Sequence, residues 1–448
     1  MRLSQNTIDV VKETAAVVVA NGEAIVNKFY RDLLTDPDNC DIMHKFPHSH
    51  HIPQEGDIEL DPLALKNRRT AGRAMHKSSG RQQHALLGAV VAYATHIDDL
   101  GALTEAVERI AHKHIQFQIP KEMYPRVGVT LLGAVKKVLG DAGTDEVLEA
   151  WKAAYIFLAD LFIEIEGKMF DELAAVPGGW RGWREFVVER LERDPLESLD
   201  VVHVYLKPKD GGELLRYDAG QSITLRFIDE LPDHDGPFGI KGRREEIRNY
   251  SLSRAFAADP SSYRISVRRE AGHGGPSGVV STYLTRKVKR GDELRVGPPR
   301  GVHTLKKAPP SEQPLVLIGG GIGMTSVFAM FDEVTRDESE QRDIVFVHVV
   351  RDREHRLLES DLRSVMPRSA KAKVVFVHTH PLPGEAEGVD YDLSGDVDAE
   401  QLAKHVDLDL SRAQWHFTGP VGFMETWKDE VLSLGSERSV FYEVYGPM

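Results

Sequence analysis

The stretch "LIGGGIGMTSVFAMFDEV", residues 317–334, decides the fold of the carboxyl-terminal part of the chain. An apolar run that begins at Leu315 leads into a glycine turn, and residues with helical spacing follow. A strand that ends in such a turn and opens a helix presents backbone N–H groups to a pyrophosphate. Ser326 stands where the usual motif has its last glycine, so a plain strand-to-helix turn is the alternative.

The strands that follow support the nucleotide-binding interpretation. Short β-branched or aromatic runs, separated by segments with helical spacing, occur at 343–350 ("DIVFVHVV"), 372–379 ("AKVVFVHT") and 413–419 ("AQWHFTG"). Strands that alternate with helices are typical of a parallel sheet. We therefore predict an α/β domain over residues 309–448.

A different pattern occupies residues 180–306. Short β-branched segments separated by Gly, Pro and Asp include "LDVVHVYLKP" (199–208), "QSITLRFI" (221–228) and "YRISVRRE" (263–270). This pattern predicts an antiparallel barrel or sandwich. Within it, "RNYSLS" (248–253) alternates a cation, an aromatic ring and a hydroxyl, which suits a phosphate and a flavin ring. An ordinary half-buried strand is the alternative.

Residues 1–172 read as all-α. The segment "EAIVNKFYRDLL" (23–34) puts Val26, Phe29, Tyr30 and Leu33 on one stripe, and residues 80–97 and 151–170 repeat that spacing. Residues 47–79 are polar and aperiodic, so we interpret them as an insertion, either a lid or a mobile loop.

Two histidines in "RIAHKHIQFQIP" (109–120) are candidate ligands. At 100° per residue, His114 falls on the apolar face with Ile110 and Phe117, whereas His112 falls on the polar face beside Gln116. A histidine on an apolar face is usually a satisfied core residue, so the wheel alone does not make His114 a ligand.

Composition restricts the function. The chain has 448 residues, a formal net charge of −13 and one cysteine, Cys40. The charge argues against binding to nucleic acid or an anionic membrane, and a single cysteine excludes an internal disulfide. No apolar run approaches the ~20 residues of a membrane span, and no secretory signal is evident. We expect a soluble, cytoplasmic monomer.

The order of these segments resembles the ferredoxin–NADP reductase superfamily, in which an FAD barrel with Arg-x-Tyr-Ser precedes a nicotinamide-binding domain. "HFTGPVGFM" (416–424) matches another block of that family, with Thr418 at the position of its cysteine. With the all-α segment attached, the whole chain resembles a flavohaemoglobin. The resemblance implies an all-α globin domain, an antiparallel FAD barrel and an α/β nicotinamide domain in one multidomain chain.

The resemblance also implies roles for single residues. His114 matches the proximal iron ligand of haem b, Tyr124 and Glu166 match its partners, and Tyr30 matches the distal tyrosine. Gln82 matches the distal glutamine, and either Phe46 or Met43 the residue packed on the haem. The remaining residues implied in cofactor binding are Lys113, Arg248, Tyr250, Ser251, Gly278, Ser281, Gly321, Gly323, Thr325, Glu443, Tyr445 and Gly446.

The implied activity is nitric oxide dioxygenase, in which NAD(P)H reduces FAD and FAD reduces the haem that binds O2 and NO. Hydroperoxide reduction and gas sensing are the alternatives. Arg351 and Arg353 could contact the 2′-phosphate of NADPH, but exposed arginines after a strand are common, so the choice between NADH and NADPH stays open. Clustered histidines at 44–51 and His76 could bind a metal, although a solvated loop fits their spacing better.

Overall fold

The structure is a computed structural model, and it describes residues 3–35, 79–196, 199–228, 245–256, 260–270, 278–305, 313–434 and 440–444. Residue contacts divide the chain into two compact units. One comprises Met1–Ala175 with Arg226–Arg248 and Pro447–Met448, and the other comprises Val176–Leu225 with Asn249–Gly446.

The amino-terminal part is all-α, as predicted. Its described helices are α1 (Gln5–Ala20), α2 (Gly22–Thr35), α3 (Ser79–Thr95), α4 (Thr104–Gln116), α5 (Met123–Leu139) and α6 (Asp145–Ala175), with 3₁₀ turns at Leu100–Leu103 and Gly140–Ala142. The stripe predicted on α2 is its buried face, because Val26, Phe29, Tyr30 and Leu33 are each 8% exposed or less. Burial of this face against α3 and α5 stabilises a helix that would be marginal alone.

One prediction for α4 is wrong. The polar face with His112 and Gln116 was expected to be solvated, but Gln116 is 4% exposed and His112 is half-buried. Ile115 and Gln116 point about 100° apart and are both buried, so the last turn of α4 is covered on more than one side. A helical wheel compares the hydrophobicity of the faces of a helix, but it does not show which of these faces are covered by neighbouring elements.

The middle of the chain forms an antiparallel barrel. Its strands are β1 (Arg184–Arg193), β2 (Val201–Pro208), β3 (Ser222–Ile228), β4 (Glu245–Ser251), β5 (Tyr263–Arg268) and β6 (Glu293–Val296), in the order β4-β3-β6-β1-β2-β5. A bridge between Leu252, which directly follows β4, and Ile265 of β5 joins the two edge strands, and Ser253 N donates to Arg264 O over 2.8 Å. This closure decides between the predicted barrel and sandwich. Helix α7 (Val279–Arg286) lies between β5 and β6 in the chain.

The carboxyl-terminal part is the predicted parallel sheet. It has the order β10-β9-β8-β7-β11-β12, with β7 (Leu315–Gly320), β8 (Ile344–Val350), β9 (Ala372–His378), β10 (Leu393–Ser394), β11 (Gln414–Gly419) and β12 (Val440–Val444). The helices are α8 (Met324–Val334), α9 (Glu359–Val365), α10 (Ala399–Val406) and α11 (Val421–Ser433). Short 3₁₀ turns occupy Gly321–Gly323, Arg353–His355 and Met366–Arg368.

Both faces of this sheet are buried. Leu317 and Phe346 pack with Phe328 of α8 and Leu362 of α9, whereas Ile318 and its neighbours pack on the other face with α10 and α11. The strand order reverses at β7, which has β8 on one side and β11 on the other. In open α/β sheets, ligands bind at the carboxyl ends of the strands at such a reversal. Within the described residues, no helix combines the length and apolar character needed to cross a bilayer.

Candidate functional site

An apolar cavity of about 400 Å³ lies among the helices of the amino-terminal part. Its lining comes mainly from aliphatic and aromatic side chains of α2, α3, α4, α5 and α6. Tyr30 on α2 and His114 on α4 are among the few side chains that bring polar atoms to it. The cavity therefore suits a large, flat and mainly apolar ligand that needs a small number of polar contacts.

His114 is held by two polar side chains at the wall of this cavity. Its Nδ1 lies 2.8 Å from Glu166 Oε1 and 2.9 Å from Tyr124 Oη. The Tyr124 hydroxyl donates to the same carboxylate oxygen over 2.6 Å. An ionised carboxylate can only accept hydrogen bonds. The ring proton of His114 therefore lies on Nδ1, and this N–H donates a hydrogen bond to Glu166. The lone pair then lies on Nε2, which is the nitrogen that could bind a metal ion.

The local fold brings these three residues together. Gln118 adopts a left-handed backbone with φ of 54°, and Ile119 N donates to His114 O, so α4 ends abruptly. The chain then turns into α5, which places Tyr124 beside His114 although ten residues separate them. Glu166 comes from α6, and Phe162, one turn earlier, lies with its ring centroid 5.4 Å from that of His114.

A further contact fixes the backbone at Tyr124. The Tyr155 hydroxyl donates to the Tyr124 carbonyl over 2.6 Å. Gly128 permits this approach, since a Cβ added there would lie 2.3 Å from Tyr155 Cε1. Tyr155 also lines the cavity, so the same ring shapes the wall and positions Tyr124. Helical spacing over residues 151–170 does not reveal this contact, because Tyr155 and Tyr124 are 31 residues apart.

The phenols of this region stay neutral. Burial, followed by the nearby Glu166 carboxylate, raises the pKa of Tyr124 far above its ordinary value. Burial likewise raises the pKa of Tyr30. Among the described residues, no side chain or backbone group forms a hydrogen bond with the Tyr30 hydroxyl. Tyr124 therefore keeps the proton that it donates to Glu166, and Tyr30 keeps a donor for a ligand in the cavity.

Most of the predicted distal set lies outside the described side chains. Gln82 lies on α3, but its side chain is not among the described atoms. Phe46, Met43 and the histidines at 44–51 and 76 lie outside the described residues. Among the described residues, no three His, Cys, Asp or Glu side chains are arranged to hold a metal ion.

The predicted flavin residues lie on one strand. Arg248, Tyr250 and Ser251 belong to β4; Arg248 and Tyr250 are half-buried, whereas Ser251 is 6% exposed. Arg248 Nη1 donates to Ile247 O over 2.9 Å and lies 2.8 Å from Glu246 Oε2. Successive side chains of a strand point to opposite faces of the sheet. Arg248 and Tyr250 therefore share one face, and Ser251 lies on the other.

The second predicted anion site begins α7. Gly278 is its N-cap residue, and a Cβ there would lie 2.8 Å from Ser281 Oγ. The Ser281 hydroxyl donates to Gly278 O over 3.1 Å and accepts from Glu270 N over 3.1 Å. The Ser281 side chain thus fixes the first turn of α7. The other backbone N–H groups of this turn could bind an anion.

The glycine turn after β7 has the geometry that the motif predicts. Gly321 has a φ of +53°, and a Cβ on Gly323 would lie 2.6 Å from the Thr418 carbonyl. Thr418, at the position of the family's cysteine, donates to Gly323 O, and its hydroxyl is 3.2 Å from Ser326 Oγ. Thr325 donates to Ile322 O over 2.9 Å. Thr418 thus ties the end of β11 to the turn.

The structure shows a positively charged side chain near the glycine turn that the sequence did not indicate. Arg268, at the end of β5, places Nη1 3.7 Å from where a Cβ on Gly321 would be. Its side chain is exposed, and none of the described residues pairs with it. Because 53 positions separate Arg268 from the turn, no local pattern could have revealed it. A guanidinium beside a glycine turn suits a pyrophosphate.

The last predicted residues are only partly described. Glu443 lies in β12 with its backbone opposite Thr418 of β11, and its side chain is not described. Tyr445 and Gly446 lie outside the described residues. Lys113 is half-buried in the last turn of α4, next to His114.

Comparisons with known proteins agree with this architecture. The globin family matches residues 65–161, and the oxidoreductase NAD-binding domain family matches residues 317–429. A flavohemoprotein of Halalkalibacterium halodurans is 36% identical over 99% of this chain and 97% of its own length. A flavohemoprotein of Pseudomonas aeruginosa is also 36% identical, over 98% of this chain and 96% of its own length.

A solved structure has the same overall fold. The crystal structure of a flavohemoglobin from Malassezia yamatoensis, with bound FAD and heme, matches with a TM-score of 0.74. It is 23% identical, and the match covers the whole of both chains. The resemblance noted from the sequence is confirmed by relatives that match over almost their full length: the chain belongs to the flavohemoprotein family.

Proposed function

We propose that the chain is a nitric oxide dioxygenase. The balanced reaction is 2 NO + 2 O2 + NAD(P)H → 2 nitrate + NAD(P)⁺ + H⁺. The observation that carries the proposal is that His114, supported by Glu166 and Tyr124, and the neutral Tyr30 line the same cavity. When bound, haem would supply an iron that binds O2, FAD would divide a hydride pair into single electrons, and NAD(P)H would supply the hydride.

The cavity residues fit a haem. The lining is apolar, as a porphyrin requires, and the protonated Nδ1 of His114 leaves Nε2 as the metal-binding nitrogen. Metal-binding histidines commonly donate their other N–H to a carboxylate, which fixes the ring and makes it a stronger electron donor. Glu166, with a side chain only 6% exposed, has that position here.

The chain's own residues divide the work at this site. Glu166 orients the imidazole and increases its basicity, and Tyr124 holds the carboxylate in place. A more basic imidazole favours cleavage of an O–O bond. On α2, Tyr30 would donate a hydrogen bond to an oxygen molecule held in the cavity and keep water from replacing it, with Gln82 as its proposed companion.

The reductase residues fit a flavin and a dinucleotide. Arg248 would hold an FAD phosphate, Tyr250 would pack on the flavin ring, and the buried Ser251 hydroxyl would bond to a flavin nitrogen. The N-terminus of α7, with Gly278 and Ser281, would meet the FAD pyrophosphate.

The nucleotide would lie at the carboxyl ends of the parallel strands. The turn at Gly321 and Gly323 would present backbone N–H groups to its pyrophosphate, and Thr325 and Thr418 fix this turn. Arg268 would approach from the barrel side. On the resemblance alone, we assign Lys113 a role beside the haem, and Glu443, Tyr445 and Gly446 roles beside the flavin.

Consumption of nitric oxide tests the proposal. The purified holoprotein is supplied with NADH or NADPH, air-saturated buffer and nitric oxide, and nitrate is measured. We expect two nitric oxide molecules consumed and two nitrates formed for each NAD(P)H oxidised, with no consumption when either O2 or the reductant is left out.

Two other outcomes would contradict the proposal. Consumption of alkyl hydroperoxides without formation of nitrate would indicate a peroxide reductase. Reduction of the flavin without turnover of any acceptor would indicate a sensor. As a matched control, His112→Ala should keep the stoichiometry, because the structure gives the Glu166 contact to His114 and not to its neighbour two residues before.

A further inference from the structure

The turn that follows β8 lies beside the glycine turn. Strands β7 and β8 pair in parallel register, with Gly320 opposite Val349. At about 3.3 Å per residue, Arg351 begins roughly 7 Å beyond the last paired residues, level with the start of the glycine turn. In dinucleotide-binding sheets, the second strand of the unit ends at the adenosine ribose.

Two guanidinium groups are exposed at this turn. The side chains of Arg351 and Arg353 are 69% and 62% exposed. Arg351 Nε is 3.8 Å from Asp352 Oδ2, and Arg353 Nη1 is 3.1 Å from Asp390 Oδ1. Both guanidinium groups lie mostly in solvent, although the Asp352 and Asp390 side chains are only 3% and 18% exposed. Because solvent reaches both cations, water screens their contacts with these carboxylates, and both remain accessible to a ligand that carries a higher charge.

The one carboxylate between them is turned inward. Asp352 is 2% exposed, and its Oδ1 accepts from Glu354 N over 3.0 Å and from His355 Nδ1 over 2.6 Å. In NAD-selective sites, a carboxylate at this strand end accepts the ribose 2′-OH and repels a 2′-phosphate. Here that group caps the following 3₁₀ turn and cannot reach a ribose without losing two hydrogen bonds.

A second nearby carboxylate is also occupied. Glu385 accepts from Arg353 N over 3.0 Å and lies 2.7 Å from His378 Nδ1, and its side chain is 4% exposed. It therefore fixes the backbone of the turn and offers nothing to a ribose hydroxyl. The remaining carboxylate, Asp390, already accepts a hydrogen bond from Arg353 over 3.1 Å.

We propose that Arg351 and Arg353 form a 2′-phosphate subsite and that the chain uses NADPH in preference to NADH. Two guanidiniums can make charge-assisted hydrogen bonds to a phosphate monoester, and the ribose hydroxyl of NADH offers them no charge. This inference rests on the chain being an NAD(P)H-dependent flavohaem oxidoreductase. It does not depend on which acceptor the haem reduces.

Binding of two nucleotides that differ only in the 2′-phosphate tests the subsite. Adenosine 2′,5′-bisphosphate and adenosine 5′-monophosphate are titrated separately into the full-chain, FAD-loaded protein by calorimetry. We expect the bisphosphate to bind about 10- to 100-fold more tightly in low salt, and this preference should shrink as salt is added. The double variant Arg351→Gln, Arg353→Gln should bring the two affinities close to each other.

Two single variants separate the subsite from general charge effects. Arg363→Gln removes a guanidinium that is equally exposed and pairs with Glu359 on α9, and it should leave the preference unchanged. Arg268→Gln should weaken the binding of both nucleotides by a similar factor, because the Arg268 side chain lies near the turn proposed to bind the 5′-phosphate. Stopped-flow reduction of the flavin should show the same order, with NADPH faster than NADH at equal low concentration.

Equal affinity for the two nucleotides would overturn the inference, as would a preference that survives in the double variant. Failure of the dioxygenase proposal is distinguishable, because calorimetry uses no nitric oxide or oxygen. A protein that prefers the bisphosphate but forms no nitrate keeps the subsite and loses the proposed reaction.

Discussion

Replacement of Glu166 by Gln tests how the carboxylate acts on His114. The side chain keeps its shape, but the charged acceptor 2.8 Å from Nδ1 and 2.6 Å from the Tyr124 hydroxyl becomes neutral. A less basic partner makes the imidazole a weaker electron donor, so the ferric state of a bound haem loses more stabilisation than the ferrous state. The reduction potential of the haem should therefore rise.

The size of the change follows from the contact. A hydrogen bond to a charged group contributes about 1.5–3 kcal/mol, roughly twice a neutral one, so the substitution costs the imidazole about 1–1.5 kcal/mol. For a one-electron couple, 1.4 kcal/mol corresponds to about 59 mV. The potential therefore rises by at most about 40–60 mV, a limit that is reached when the ferric state bears the whole cost. Spectroelectrochemical titration of the holoprotein measures it.

A neighbouring carboxylate is the matched control. Glu164 lies two residues earlier on the same helix, is 64% exposed and pairs with Lys168. Glu164→Gln changes the net charge equally, and it should leave the potential unchanged because solvent screens its charge. An unchanged potential in Glu166→Gln, or an equal rise in both variants, would refute the assigned role of Glu166.

Three further substitutions test other contacts. Tyr30→Phe removes the buried donor of the cavity and should accelerate dissociation of O2 by about 3- to 10-fold, measured by displacement with carbon monoxide; an unchanged rate would exclude contact with the oxygen. Thr418→Val removes the hydroxyl that donates to the Gly323 carbonyl, so we expect a loss of about 0.5–1.5 kcal/mol in unfolding free energy and a higher KM for NAD(P)H, whereas Thr418→Ser should behave like the parent. Equal behaviour of the Val and Ser variants would contradict that role. Gly128→Ala should lower the unfolding free energy by about 1–3 kcal/mol because its Cβ meets the Tyr155 ring. Gly133→Ala, on the same helix with open space around it, should raise that free energy by up to about 1 kcal/mol, and a loss of stability there would contradict the reasoning.

Local sequence patterns predicted the elements whose structure is determined by residues close together in the chain. The turn at Gly321 follows from glycines placed after an apolar run, whereas the strand with Arg248 and the stripe on α2 follow from spacings of two and about 3.6 residues. Strand β1, "REFVVERLER", was not predicted because six of its ten residues are charged. It forms because β2 and β6 pair with it on both sides, which supplies backbone partners that the side-chain pattern does not indicate.

Long-range contacts explain the rest of what the sequence did not show. The approach of Arg268 to Gly321 joins positions 53 residues apart, and Tyr124 meets Glu166 across 42 residues. Only the family resemblance linked Tyr124 and Glu166, and nothing linked Arg268 to the turn. The burial of Gln116 was missed for a related reason, since neighbouring elements cover a face that the helix alone would leave in water.

The most direct test of the central claim is the iron–histidine stretching band of the ferrous, ligand-free holoprotein in resonance Raman spectra. The account predicts that the band is present in the parent and in His112→Ala, absent in His114→Ala, and restored when free imidazole is added to His114→Gly. A band that persists in His114→Ala, or disappears in His112→Ala, would contradict it.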